Sequence, residues 1–312
     1  MALIAKPYKQ EYYPDETVDN VIGFNTYNYY LECILKYIED SYGHPDQFCS
    51  EVLASTKKLK LISDFDKHWV EKWLKLSWNT EFLLNQNTED AEIVRFNNHW
   101  SPILCYFSIY SCLEAFVYLL DQNKANGHNK ALKKGINYFV KSGMSPWDFA
   151  FKGARGKNGK EHKPFNFPRD IIFPNCLERV GVEPIQMIGT CLKAEHYKRI
   201  DKLYKKSSGK YKYEFDPDFT GIFHFLYRLR LRSNYEGLDL FVSDASDEDI
   251  KKFSDSLCHI SFWSLMYMEL FIIRKCGLKF FLKVANDYIK LNSNAGDIHY
   301  RCDLYKKHIT IY

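Results

Sequence analysis

The sequence predicts an all-α protein. Apolar residues recur at helical spacing through most of the chain. Glycine and proline are scarce, at 15 and 10 of 312 residues, which disfavours a fold built on many tight turns. One long segment also carries its own start and stop signals: Ser246 and Asp249 form a capping-box pattern, and Gly277 closes the helix they open. A chain of this length buries a sizeable core without staples. With 46% apolar and 26% charged residues, plus 23 Tyr and 23 Phe, it reads as globular rather than disordered.

In chain order, the first helix covers 25–41, where Tyr29, Tyr30, Cys33, Ile34, Tyr37 and Ile38 share helical spacing. Helices follow over 48–58 and 64–78, the latter with Trp69, Trp73, Leu76 and Trp78 as apolar positions. Further helices cover 80–95, 99–121 and 127–142, with Gly127 marking the gap between the last two. The run from Ile103 to Leu120 is the most hydrophobic; it contains Glu114 and polar residues and reads as a buried core helix. No membrane association is expected. In 246–275 the residues Ile250, Phe253, Leu257, Ile260, Trp263, Tyr267 and Leu270 keep a 3.6-residue period. A helix over 278–290 and a polar turn lead into a tail. The expected organisation is an N-terminal helical extension (1–95), a helical core (96–143 and 218–290), a basic insertion (144–217) and a C-terminal tail (291–312).

The insertion holds most of the pattern-breaking prolines and glycines. Residues 152–212 carry 15 Lys and Arg against 6 Asp and Glu, a net of +9 in a chain whose total is +4. Cations there alternate with aromatics, a composition that suits single-stranded nucleic acid, where bases stack and phosphates pair. Lys152, Arg155, Lys157, Lys160, Lys198, Arg199, Lys205 and Lys206 are the candidate RNA contacts. A solvated loop and helix surface is the alternative reading. The glycines at 153, 156 and 159 lack the ending of a phosphate-binding P-loop and the spacing of a dinucleotide fingerprint, and read as a mobile basic loop.

The most informative segment is Phe223-His224-Phe225-Leu226-Tyr227-Arg228-Leu229-Arg230-Leu231-Arg232-Ser233-Asn234-Tyr235-Glu236. Three arginines stand among five residues, inside sequence apolar enough to be core. Guanidinium groups stay charged, and burying a charge without a partner is costly. On a helix His224, Arg228 and Arg232 share one face, while Arg230 and Asn234 share another. Either surface carboxylates pair with this helix, or it presents a functional polar face.

Other chemistries find no footing. The sequence has no H-E-x-x-H, no G-x-S-x-G and no cysteine or histidine set at metal-ligand spacing, so no metal and no organic cofactor is expected. Nine cysteines without a C-x-x-C pair suggest a reducing, cytoplasmic setting with neither disulfides nor zinc. The short apolar start Met1 to Pro7 is no secretory h-region. Two Arg-x6-His pairs occur, Arg155 with His162 and Arg301 with His308; on a helix the second pair would share a face two turns apart.

Two segments together resemble HEPN domains. Asn97-Asn98-His99-Trp100-Ser101-Pro102-Ile103 through Tyr106, Phe107, Tyr110 and Ala115, then Gly127-His128-Asn129-Lys130-Ala131-Leu132, is similar to their first helical hairpin. Leu226 through Glu236 and the capped helix from Ser246 resemble the second, which in one bacterial branch reads Arg-x-x-Ala-Asp-Tyr. Arg230 falls on the family arginine, Asn234 on its polar position and Tyr235 on its tyrosine. The likeness covers about a third of the chain, 95–142 and 218–275. It implies an all-α HEPN-like bundle, a homodimer, and metal-independent RNA cleavage in bacterial toxin–antitoxin or antiphage systems, with a partner protein encoded nearby. At the arginines that fall on the family position its Arg-x4–6-His motif is not kept, since no His follows Arg228, Arg230 or Arg232 at that spacing.

If RNA is cleaved, Arg230 and Arg232 supply the cation, with Asn234 and Tyr235 beside them, and His224 or His308 moves the proton. A non-catalytic HEPN-like module that binds a protein or a nucleotide is the second expectation. A helical scaffold whose arginines pair with acidic neighbours is the third.

Overall fold

The computed structural model describes residues 20–86, 91–153, 163–206, 218–236, 241, 245–292 and 295–309. The fold is mostly helical, 74% helix against 3% strand. The elements are α1 (Asn20–Tyr42), α2 (Pro45–Ser55), α3 (Lys67–Asn85), α4 (Ala91–Asn97), α5 (Ser101–Asp121), α6 (His128–Ser142), β1 (Ala150–Lys152), β2 (Lys163–Phe165), α7 (Pro184–Lys206), β3 (Thr220–Gly221), α8 (Ile222–Leu231), α9 (Asp247–Cys276), α10 (Leu278–Leu291) and α11 (Gly296–Ile309).

At the centre α5 packs between α3 and α9. Cys105, Ile109, Cys112, Phe116 and Leu119 are fully or almost fully buried, so α5 is apolar on nearly every side. Both α5 and α9 are long and apolar enough to cross a membrane, and 83% of each such window is buried within the fold. The long helix α9 begins as its sequence signals. The Ser246 hydroxyl accepts the Asp249 N–H at 3.1 Å, and Gly277 ends the helix with φ +85°, a left-handed angle that L side chains rarely adopt. Asp247, Glu248 and Asp249 in its first turn and Arg274 and Lys275 in its last complement the helix dipole.

Four differences from the sequence reading have physical causes. The expected helices 64–78 and 80–95 are not divided at 79: α3 is continuous from Lys67 to Asn85. No Gly or Pro interrupts it, and buried Trp78, Glu81 and Leu84 carry one face onward at i, i+3 and i+6.

Within 144–217 the described residues hold elements that the sequence reading did not assign. Helix α7, missed in sequence because its cations hide the pattern, buries Met187, Ile188, Cys191 and Leu192 at 0% exposure against α1 and α8. A small antiparallel sheet, ordered β2-β1-β3, also stands there. It pairs Ala150 with Phe165 and with Gly221. Strands of two and three residues are too short for period-two alternation to show.

Lastly, the expected tail 291–312 contains α11, which docks through Ile298, Arg301, Cys302, Leu304 and Tyr305. One core cluster takes residues from α1 through α11.

Candidate functional site

The arginine-rich segment forms α8 and a π-helical turn, Arg232–Glu236. Ile222, Phe225, Leu226 and Leu229 recur at i, i+3, i+4 and i+7 and are buried, so core packing holds the helix. The arginines divide between two sides. Arg230 meets α5, while Arg232 reaches α1.

Arg230 lies in an aromatic cage. Its guanidinium carbon is 5.0 Å from the ring centroid of Phe107, 5.8 Å from Tyr227, 5.9 Å from Tyr106 and 6.0 Å from Tyr235. Such cation–π contacts are worth about 0.5–2 kcal/mol each, more as water is excluded. Its Nε is buried and has no hydrogen-bond partner among the described residues.

His128, at the start of α6, shares the same wall. Its ring is 4.0 Å from that of Tyr110, 5.5 Å from Tyr106, 5.7 Å from Tyr227 and 5.8 Å from Phe107. Nδ1 and the Tyr106 hydroxyl are 2.8 Å apart, and Nε2 has no partner among the described residues. Burial, and then the nearby Arg230 charge, hold the imidazole below its ordinary range. It is therefore neutral near pH 7. The wall is anchored behind: the Tyr110 hydroxyl donates to Glu114 Oε1 at 2.5 Å, and burial pushes the Glu114 carboxyl up.

The other side of α8 is a structural seam. Arg232 Nη1 donates to the Tyr27 hydroxyl at 3.2 Å. Burial raises the Tyr27 phenol to about 12, against the opposing pull of Arg232 and Arg228. His224, at 6% exposure, accepts the Gly221 N–H through Nδ1 at 3.3 Å. Burial foremost, and then Arg199 and His196, hold it well below the ordinary histidine range. His196 Nε2 donates to the Gly153 carbonyl at 2.9 Å, and Nδ1 accepts from the Thr220 hydroxyl at 2.8 Å. Arg199 Nη1 donates to Phe219 O at 2.9 Å and to Thr220 Oγ1 at 2.6 Å. These bonds fasten α7 to β1 and β3, and so set the start of α8.

The structure thus brings Arg230 to His128, and His224 to His196 and Arg199. Asn234 is half-buried and Tyr235 is 70% exposed at the cage edge, with the intervening Ser233 hydroxyl donating to the His99 carbonyl. Among the candidate RNA contacts, Arg199 is tied into the seam, Lys152 stands 5.0 Å over the Phe219 ring and Lys198 is half-buried on α7. Lys205 and Lys206 end α7, but their side chains, like all of Arg155, Lys157, Lys160 and His162, lie outside the described residues. The pair Arg301 and His308 does not form: Arg301 is fully buried against Glu81 and Glu269, whereas His308 Nε2 bonds Asp46 at 2.8 Å.

Sequence reasoning assigned no site role to His128, Tyr106, Tyr110 or Tyr227. The available signal was Tyr106, Phe107 and Tyr110 within one turn of α5, but nothing local ties residue 128 to residue 230. Among the described residues no three His, Cys, Asp or Glu side chains group as metal ligands. The arrangement offers a fixed cation, a neutral imidazole with one nitrogen unpartnered, and stacking rings, a set suited to a phosphate and a base. Compared with protein-family models, with curated proteins and with solved structures, the chain matches none of them.

Proposed function

We propose that this protein is a HEPN-like, RNA-binding and RNA-cleaving protein of a bacterial toxin or antiphage defence system, acting without a metal. The observation that carries the reading is the shared wall of Arg230 and His128: one fixed cation and one proton-transfer group face the same aromatic surface.

The chemistry follows from those two groups. The ribose 2′-hydroxyl attacks the adjacent phosphorus. With Nδ1–H donating to Tyr106, His128 Nε2 carries the lone pair that takes the 2′ proton. Arg230 offsets the charge that gathers on the phosphorane oxygens. The bond to the 5′ oxygen breaks, and that oxygen takes a proton from the imidazolium or from water. The products are a 2′,3′-cyclic phosphate and a 5′-hydroxyl end. In this scheme His128 takes the role that sequence reading offered to His224 or His308.

The second reading is a non-catalytic module for a protein partner or a nucleotide. What favours it is that Arg230 is already surrounded by four rings and no His follows it at the family spacing.

The test is expression of the wild type, Arg230→Ala and His128→Gln, with growth and total RNA integrity followed together. Arrest and RNA fragmentation lost in both variants supports cleavage. Fragmentation that survives both substitutions rules this site out. Sedimentation at micromolar concentration checks the expected homodimer, and copurification of a second protein would support the module.

A further inference from the structure

Beside the cage, three large side chains that core packing would bury are left in water. Phe96 is 76% exposed in the last turn of α4, Trp100 is 48% exposed at the start of α5, and Tyr235 is 70% exposed beyond α8. Chain order and one hydrogen bond place them around the turn between α4 and α5. The Ser233 hydroxyl donates to the His99 carbonyl, which ties the π-helical turn that carries Tyr235 to the residue before Trp100. Asn98, fully buried, donates from Nδ2 to Phe241 O at 2.7 Å and fixes the turn between α4 and α5. Trp100 already has helical backbone angles, φ −82° and ψ −29°. Phe107 therefore lies seven positions on, on the same face, about 10 Å along the axis. Phe107 is also the cage ring closest to the Arg230 guanidinium, at 5.0 Å. A line of rings thus runs from Trp100 to the caged cation.

We propose that Phe96, Trp100 and Tyr235 form a stacking subsite for unpaired bases of the RNA strand whose phosphate meets Arg230. The inference rests on the RNA reading above and names the form of RNA that the site takes. Exposed rings next to a cation match a single strand, base on ring and phosphate on guanidinium. Paired bases present no free face to Trp100, so a duplex gains only the phosphate contact. Each stacked base contributes about 1–3 kcal/mol by ring removal, which is about 5- to 150-fold in affinity.

Tryptophan emission reads this corner directly. Of the six tryptophans, Trp78, Trp147 and Trp263 are at 6% exposure or less, and Trp69 and Trp73 are half-buried, leaving Trp100 as the exposed one. The probes are an oligoadenylate RNA of about 12 nucleotides, within the site sizes of single-strand binders, and its duplex with oligouridylate. The single strand should quench the emission, less so as salt rises; the duplex should not. Trp100→Leu should remove the quenching and weaken binding, by labelled-strand anisotropy, about 5- to 150-fold; Trp100→Phe should keep most of the affinity. Unchanged melting of both variants secures the comparison. If Arg230→Ala weakens binding and Trp100→Leu does not, the subsite is overturned while the RNA reading stands. If the wild type binds neither probe, both fall. If Trp100→Leu turns a dimer into a monomer at unchanged RNA affinity, the corner is a face for a second copy and the subsite is overturned.

Discussion

Arg301 donates two parallel hydrogen bonds, each 2.7 Å, to the two carboxylate oxygens of Glu81, 220 residues earlier in the chain. Its Nε donates to Glu269 at 2.9 Å. Trp78 and Tyr305 donate to the same Glu269 carboxylate at 2.7 Å each. The Arg301 and Glu269 side chains are wholly buried. Burial pulls the guanidinium down, but Glu269 and Glu81 outweigh it and hold it charged; burial foremost pushes the Glu81 carboxyl up. The cluster clamps α11 onto α3 and α9.

Breaking this clamp should therefore cost far more than removing a surface pair. Arg301→Met leaves two buried carboxylates without a cation, and unfolding by denaturant should show a loss of about 3–5 kcal/mol. Adding Glu81→Leu and Glu269→Gln should recover part of that loss, since the charges go while Trp78 and Tyr305 keep an acceptor. His308→Ala, which breaks a pair at the edge of the fold, should cost about 1 kcal/mol or less. Equal losses for Arg301→Met and His308→Ala would contradict the clamp.

At the cage, His128→Gln should lower RNA cleavage about 100- to 10,000-fold, the range for a lost general base. Arg230→Lys should rescue little of what Arg230→Ala loses, because an ammonium cannot stack its plane on Phe107 and Tyr227. Single-turnover cleavage of a labelled RNA measures both. Full activity in Arg230→Lys would show that charge alone suffices.

Titration of His128 by proton NMR tests the pairing without any activity. Arg230 contributes to holding the imidazole below its ordinary value, so Arg230→Ala should move the His128 midpoint upward. An unmoved midpoint would separate the two groups. The sign for stability follows from the depressed values of His128 and His224. Below about pH 6.5 the unfolded chain binds protons that the fold refuses. Their contribution is present above that pH and lost as pH falls toward the folded values. His224→Gln, which keeps an acceptor for the Gly221 N–H, should flatten the acid limb of the melting-temperature profile.

Asp148 runs the opposite way. It is 4% exposed, its Oδ1 has no partner among the described residues, and burial foremost lifts its carboxyl to about 6. The fold favours the protonated form. The benefit is whole below pH 4 and is lost as pH rises through about 6. Asp148→Asn should leave stability unchanged near pH 4 and raise it by up to about 3 kcal/mol at pH 8. Thermal unfolding at the two pH values checks this.

Most of the helices were legible because their signals are local; α7 and α11 were not. Ser246, Asp249 and Gly277 bracket α9 within one stretch of chain, α1 and α6 follow an apolar period, and α5 stands out as a long apolar run. The π-helical turn, the three-residue strands and α11's docking were not, because each depends on what packs against it. Arg230 stood out in sequence as a charge set in apolar residues. Its neighbour did not: His128 comes from another helix, and helix period relates residues only within one helix. Arg301 shows the same limit in reverse. Its spacing to His308 suggested a functional pair, while the carboxylates that claim it, Glu81 and Glu269, come from two other helices. The sequence alone determined the all-α class, most of the helices and where the unusual charges lie, since backbone propensity, capping and periodicity act over a few residues. Only the tertiary structure decided which of those charges are clamps and which face a site, because pairing and burial are set by elements far apart in the chain.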